Sequence, residues 1–431
     1  MGHPDGVSGT RLLRRPRHLL PVAFSLLAVL LVLAGGYAGW ALTRTPPAPA
    51  LQLRLPATLA VAPGTPPAIP APAQGSWDLT SSDGGRLASH DAGVATPIGS
   101  IAKVMAALVA LQRMPLTGTD AGPTYTITAQ DVALYRESVA QNGSSLFVST
   151  GERFTERQML LALLLPSADN LAETLGDWVA GSDAAFVAEM NAEADALGMR
   201  ATHFADVSGL SDQTVSTPAD LVTLGEAVLA NPVLAGLVAT RSAVMPDGTR
   251  VDNLDTDLAS VPGWLGIKTG STPAAGGCLL FAAEHPSPVG SPQPEVQVVG
   301  AVLGQPLQGG GFGTGAVLAT AAGMVRAAFG AYATVTPARI ALPADPGRLR
   351  SAWGTSAGLR ATRPSGLRSA VVRRGAALRL SAVALRPSGR VRAGTGVARV
   401  TGSIAGTTVV TWTLDALPGL GEPSWPWLLT H

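Results

Sequence analysis

The strongest hydrophobic signal is an unbroken apolar run from Leu19 to Leu42, LLPVAFSLLAVLLVLAGGYAGWAL, with no charged residue. A helix needs roughly 20 such residues to cross the hydrocarbon core of a bilayer. Arg11, Arg14, Arg15 and Arg17 precede the run and little basic charge follows it. That asymmetry orients the N-terminus to the cytoplasm. Residues 1–18 are therefore read as a basic cytoplasmic N-terminus and 19–43 as a transmembrane anchor. A cleaved signal is the alternative, but the run is long for a signal core and no clear small-x-small site follows it. Residues 44–75, rich in Pro and Ala, are read as an extended, semi-rigid spacer.

From about residue 76 the pattern alternates between short apolar runs and longer stretches with apolar residues three and four apart. The first kind predicts strands over Ser76–Thr80, Cys278–Ala283 and Val296–Leu303. The second predicts helices over Ser100–Gln112, Glu156–Leu165, Ala168–Val179, Asp183–Leu197, Pro218–Leu229 and Thr314–Phe329. Thr217 before Pro218 is a helix start, a capping side chain followed by Pro in the first turn. This mixture places an α/β (α+β) domain at 76–332. After about 335, Ala377–Leu385, Val391–Val400 and Thr407–Leu414 read as strands separated by Gly/Pro/Ser turns, so 335–431 is read as a small β-rich domain.

Composition narrows the function. The net charge of +1 gives no case for nucleic-acid binding. The charge is uneven: residues 341–431 contain 12 Arg and 3 acidic residues, a solvated surface or an attraction to anionic lipid or wall polymer. The single cysteine, Cys278, excludes an internal disulfide and a Cys-based metal site. In an apolar strand it reads as a buried small hydrophobe. The six histidines are scattered without helical metal-ligand spacing, so no metal is expected. The chain has only two lysines, Lys103 and Lys268. Arg serves wherever a permanent positive charge suffices, whereas Lys can lose its proton when desolvated. The two survivors are candidates for chemistry that needs an amine.

Both lie in short motifs. Ser100-Ile101-Ala102-Lys103 opens an apolar helix, and its i, i+3 spacing puts hydroxyl and amine on one face. The positive end of the helix dipole favours an alkoxide and a neutral amine, so Lys103 can take the Ser100 proton. Ser167-Ala168-Asp169-Asn170 follows the apolar stretch MLLALLLP. A serine and an amide there can relay protons and grip a substrate amide, or simply cap a helix. Lys268-Thr269-Gly270-Ser271-Thr272 leads into GGCLLFAA. It places a cation and hydroxyls on a strand edge able to pair with an extended peptide and bind its carboxylate, and Gly270 leaves room for the ligand's backbone. Each motif is weak alone. In this order S-x-x-K, S-x-x and K-T-G characterise penicillin-binding proteins and class A β-lactamases.

The segment from Trp77 to about Leu303 resembles the low-molecular-mass D-alanyl-D-alanine carboxypeptidases of the S11 serine peptidases. Further stretches carry the likeness: Gly143-Ser144-Ser145-Leu146, Met190 to Arg200, Thr202-His203-Phe204, Ser208-Gly209-Leu210, Ser216 to Leu221 and Gly266 to Gly270. The resemblance implies a β-lactamase/transpeptidase-like domain with an antiparallel sheet flanked by helices. It implies attack by Ser100 on the penultimate D-Ala carbonyl of a peptidoglycan stem peptide. Lys103 is then the base and Ser167 the proton shuttle to the leaving D-Ala. Lys268 and Thr269 hold the terminal carboxylate, with Asp169, Asn170, Gly270 and Thr272 completing the substrate site. An oxyanion hole is expected from the backbone of Ser100 and of the strand near Thr272 or Pro273. No cofactor is implied, β-lactams would acylate the same serine, and the domain would face outward from the cell membrane on a single span.

The chain departs from the family pattern in three ways. The second motif usually reads Ser-x-Asn. Here Asp169 takes the third slot and Asn170 follows, so either the amide is displaced by one residue or a carboxylate replaces it. A carboxylate near Lys103 favours its charged form. No Arg or Lys occurs between Lys268 and Arg326, where many relatives carry an Arg. The C-terminal amphipathic helix that anchors some relatives is not evident, and Trp425 and Trp427 are expected to cover a β-sheet face, with a membrane-interface role as the alternative. A decayed wall-binding scaffold and a β-lactamase-like hydrolase remain the alternative functions.

Overall fold

Five strands form the sheet on which the site is built. In spatial order they are Trp264–Thr272, Gly276–Glu284, Gln297–Gln305, Ser76–Ser81 and Gly85–His90, all antiparallel. The central strands are apolar on both faces, as a sheet covered on both sides requires. Successive side chains alternate sides. Leu279, Phe281 and Ala283 join a core with Val317, Ala321 and Val325 of the helix Gly315–Gly330. Cys278, Leu280 and Ala282 face the larger helical core on the opposite side. At the centre of that core is the helix Ala102–Arg113, buried continuously from Ala102 to Leu111, which is why its sequence is apolar all round rather than striped. Around it pack Glu156–Leu164, Asp169–Ala180, Asp183–Leu197 and Pro218–Ala230.

The computed structural model describes residues 19–288, 295–307, 313–336, 339–362, 364–365, 369–385, 387 and 390–431. The basic segment 1–18 therefore lies outside the described residues. The described residues form two compact units: those of 60–336 with 368–377, and those of 19–59, 337–367 and 378–431. The anchor helix spans Leu19–Thr43, and from Val22 to Leu42 its large apolar side chains are exposed.

Two sequence expectations are corrected by this division. The spacer is not free-standing. Ala50–Leu53 and Thr58–Ala60 are the two edge strands of a seven-stranded sheet that also contains Gly347–Arg350, Ser356–Ala361, Thr407–Leu417, Gly396–Ile404 and Ala377–Ala384. Leu51, Leu53 and Leu55 alternate with polar residues, a strand signal masked by the surrounding prolines, which edge strands tolerate. Farther along, Ile69 packs on the core beneath the helix Gly315–Gly330. The β-rich segment is also not one block, because Ala370–Arg373 pairs with Tyr332–Val335 in the first unit.

Candidate active site

Local backbone chemistry presents the serine. Gly99 has φ +53°, opening a 3-10 turn over Gly99–Ile101 that leads into the helix at Ala102. Ser208-Gly209-Leu210 crosses directly over this turn. Gly209 has φ +81°, and a Cβ there would collide with the Gly99 carbonyl. From the other side the strand Trp264–Thr272 presses in at Gly270, where a Cβ would lie 2.5 Å from the Ile98 oxygen. The missing side chain of Gly270 thus admits the serine turn itself, in addition to lining the cleft.

Lys103 is fully buried and its three donors are all used. Nζ lies 2.9 Å from Ser100 Oγ, 2.5 Å from Asp169 Oδ1 and 2.7 Å from the Ser208 carbonyl oxygen. The alternatives left open at the second motif are now separated. The carboxylate occupies the contact with Lys103. Asn170 points elsewhere, accepting from Leu146 N–H and donating to Leu146 O at 3.0 Å each. It is fully buried and does not line the cleft; its two bonds hold the 143–146 loop against the helix.

Ser167 is held at φ +66°, a left-handed conformation costly for a residue with a Cβ. Its Oγ is buried and has no hydrogen-bond partner among the described residues. A strained backbone and an unpartnered hydroxyl at the cleft floor mark a group kept available for a ligand or a proton.

Lys268 is buried beside this cluster. Nζ donates to the Thr269 carbonyl at 3.1 Å, and no carboxylate among the described residues is within ion-pairing distance. Burial pushes its amine down to about 7. Repulsion from Lys103 acts in the same direction, while Asp169 and Asp255 oppose it. Asp255 is itself buried and pushed up to about 6, chiefly by desolvation, though Trp264 Nε1 donates to it at 2.8 Å. The strand edge is therefore less firmly cationic than its lysine suggested.

The cleft has a volume of about 210 Å³. Ser100, Ser167, Asp169, Thr269 and Gly270 line it, as the motifs led one to expect. Thr272 does not, because its Oγ1 accepts from Ala275 N–H in the turn after the strand. Ser271 lines the cleft instead, beside the serine turn. Asn142, Gly143, Ser144, Leu210, Leu254 and Thr314 also line the cleft and were not singled out as site residues. The first four lay in or beside stretches that carried the resemblance, whereas Leu254 and Thr314 had no local signal. Cys278 is buried, its thiol pushed up to about 12 by desolvation. His203 pairs through its backbone with Val215, away from the cleft.

With this geometry in place, residues 65–289 match the peptidase S11 family, described as D-alanyl-D-alanine carboxypeptidase. The chain belongs to that family. The D-alanyl-D-alanine carboxypeptidase DacB2 of Mycobacterium tuberculosis is 37% identical over 227 residues, covering 51% of this chain and 73% of that protein. The D-alanyl-D-alanine carboxypeptidase of Streptomyces sp. strain K15 is 31% identical over 227 residues, covering 49% and 76%. Among solved structures, the Streptomyces K15 DD-transpeptidase superposes with a TM-score of 0.52 at 27% identity, over 61% of this chain and 99% of that one. The S11 fold accounts for the antiparallel sheet flanked by helices, and the three motifs of this chain meet at its cleft.

Proposed function

We propose that this chain is a serine-type D-alanyl-D-alanine carboxypeptidase acting on peptidoglycan stem peptides, and that β-lactams acylate the same serine. The observation that carries the reading is the 2.9 Å contact between Lys103 Nζ and Ser100 Oγ, opening on a cleft with Ser167 and Thr269. In this reading Lys103, as free amine, accepts the Ser100 proton while Oγ attacks the penultimate D-Ala carbonyl. Ser167 passes a proton to the departing D-Ala amine. Thr269 and Lys268 receive the terminal carboxylate, and backbone at Ser100 and Ser271 faces the oxyanion. Water then releases the acyl group. The exposed apolar helix Leu19–Thr43, with the basic residues before it, supports a single-span membrane anchor with the cleft outside the cytoplasm.

The Lys103–Asp169 ion pair favours a second reading, a wall-binding protein with little turnover. The amine that the first reading uses as base is already engaged by a buried carboxylate. Two measurements decide between them. The full chain in detergent micelles should release D-Ala from a D-Ala-D-Ala peptide, and Ser100→Ala should not. Intact mass after benzylpenicillin exposure should show one adduct, absent in Ser100→Ala. Peptide binding with neither release nor adduct would establish the scaffold, and rapid loss of the adduct would indicate a β-lactamase.

A further inference from the structure

The far C-terminus does not cover a β-sheet face. Trp425–Thr430 is a short helix that packs on the last turns of the anchor helix within the same unit. Tyr37 Oη donates to Leu429 O at 2.9 Å, and Arg44 donates to Leu428 O at 3.3 Å. Arg44 also lies 5.1 Å from the centre of the Trp40 ring. On its other side the short helix is tied to the turn after Gly347–Arg350: Trp353 and Trp427 meet edge to face, and Trp353 Nε1 donates to Gly421 O. Trp425 is left 68% exposed.

The position of this cluster along the anchor identifies its surroundings. At 1.5 Å per residue, about 20 residues span the roughly 30 Å of hydrocarbon. Counted from Pro21, that length ends at Trp40. Tyr37, Trp40, Trp425 and Trp427 therefore gather at one boundary of the span, where aromatic rings with one polar atom partition best. Arg44 sits one turn beyond, where a guanidinium meets lipid phosphate. In 341–367 and 378–431, which belong to the same unit, 9 Arg against 3 acidic residues add attraction toward an anionic surface. An exposed tryptophan on a Trp-Pro-Trp-Leu-Leu segment has no such compensation in water.

We infer that the C-terminal helix docks on the outward end of the anchor and lies in the headgroup zone of the bilayer, with Trp425 inserted into it. The inference rests on the anchor reading, and the test separates the two. The full chain is reconstituted in vesicles of phosphatidylethanolamine and phosphatidylglycerol, with a nitroxide on a single introduced thiol at Trp425→Cys, Val29→Cys or Val383→Cys. The buried Cys278 stays unlabelled. Val29 is in the middle of the anchor and Val383 is an exposed strand position of the same unit. The ratio of accessibility to oxygen over a water-soluble nickel chelate should be highest at 29, lowest at 383, and several-fold above the 383 value at 425. If position 29 reads as aqueous, the anchor fails and the docking with it. If 29 reads as hydrocarbon while 425 matches 383, the docking alone is overturned. As a check that needs no label, Trp425→Ser should lose part of the quenching by lipids brominated near the headgroup, with the remainder coming from Trp40 and Trp427; quenching of the same extent as in the parent chain would overturn the insertion.

Discussion

Lys268 should make substrate affinity fall as the pH rises through neutrality. Its amine is buried, shares its surroundings with Lys103, and is pushed down to about 7. A substrate carboxylate pairs with the ammonium form alone. The apparent dissociation constant then grows with the neutral fraction: about 1.1 times its limiting value at pH 6 and about 11 times at pH 8, roughly a tenfold loss of affinity. Binding at pH 8 should take up close to one proton, because the arriving carboxylate restores the charge. The assay is calorimetric titration of Ser100→Ala with a D-Ala-D-Ala peptide at both pH values, in buffers of different ionisation enthalpy. Lys268→Arg keeps its charge and should flatten the profile, whatever the cost of fitting a guanidinium. The same residue gives stability the opposite trend. Its folded value lies below the unfolded one of 10.5, so between about 7 and 10.5 the unfolded chain holds the extra proton and this group's contribution to stability rises with pH. Equal affinity at pH 6 and 8 with no proton uptake would refute the role given to Lys268.

Three other outcomes follow from the geometry. Asp169→Asn removes the partner of a buried ammonium and should lower stability by about 3 kcal/mol or more, as denaturant unfolding would register. Benzylpenicillin acylation of the same variant should change in rate, since the amine that touches Ser100 Oγ loses its ion-pair partner; an unchanged rate would argue against Lys103 as base. Gly209→Ala combines a positive φ with a collision against the Gly99 carbonyl, so it should destabilise by more than about 1 kcal/mol and slow acylation, both visible in one thermal melt and one adduct time course. Glu156 is buried, neither oxygen has a partner among the described residues, and it is pushed up to about 7 by desolvation. Its folded value exceeds the unfolded one of 4.5, so its contribution to stability is lost as pH rises from about 4.5 to 7, and Glu156→Gln should flatten that decline in the melting temperature.

The helices and strands around the cleft were legible because their periodicity is set by the two cores on either face of the sheet. The Ser100 and Lys103 contact followed from helical spacing alone. What periodicity did not supply was direction. Nothing local distinguishes Asp169 from Asn170 as the neighbour of Lys103; the helix Asp169–Ala180 decides it by turning one side chain toward the amine and the other toward Leu146. The helix Ala129–Ala140 was missed because its apolar stripe is weak, although Thr128 and Asp131 form a capping box that marks its start. Thr272 was placed in the site by proximity in sequence, but the turn at Pro273 claims its hydroxyl. The edge strands Ala50–Leu53 and Thr58–Ala60 were hidden because their partners lie some three hundred residues away.

Those edge strands govern how the molecule can be made and trimmed. Ala50 pairs with Arg350, so the seven-stranded sheet cannot close its borders until nearly the whole polypeptide has left the ribosome, and a separation that long makes assembly slow. A shortened protein beginning near residue 75, the natural choice for a water-soluble enzyme, would keep the cleft but strip both borders from the sheet. The exposed backbone along Gly347–Arg350 and Ala377–Ala384 would then invite pairing between molecules. Precipitation of such a fragment would report on its missing first strands and would say nothing against the catalytic unit.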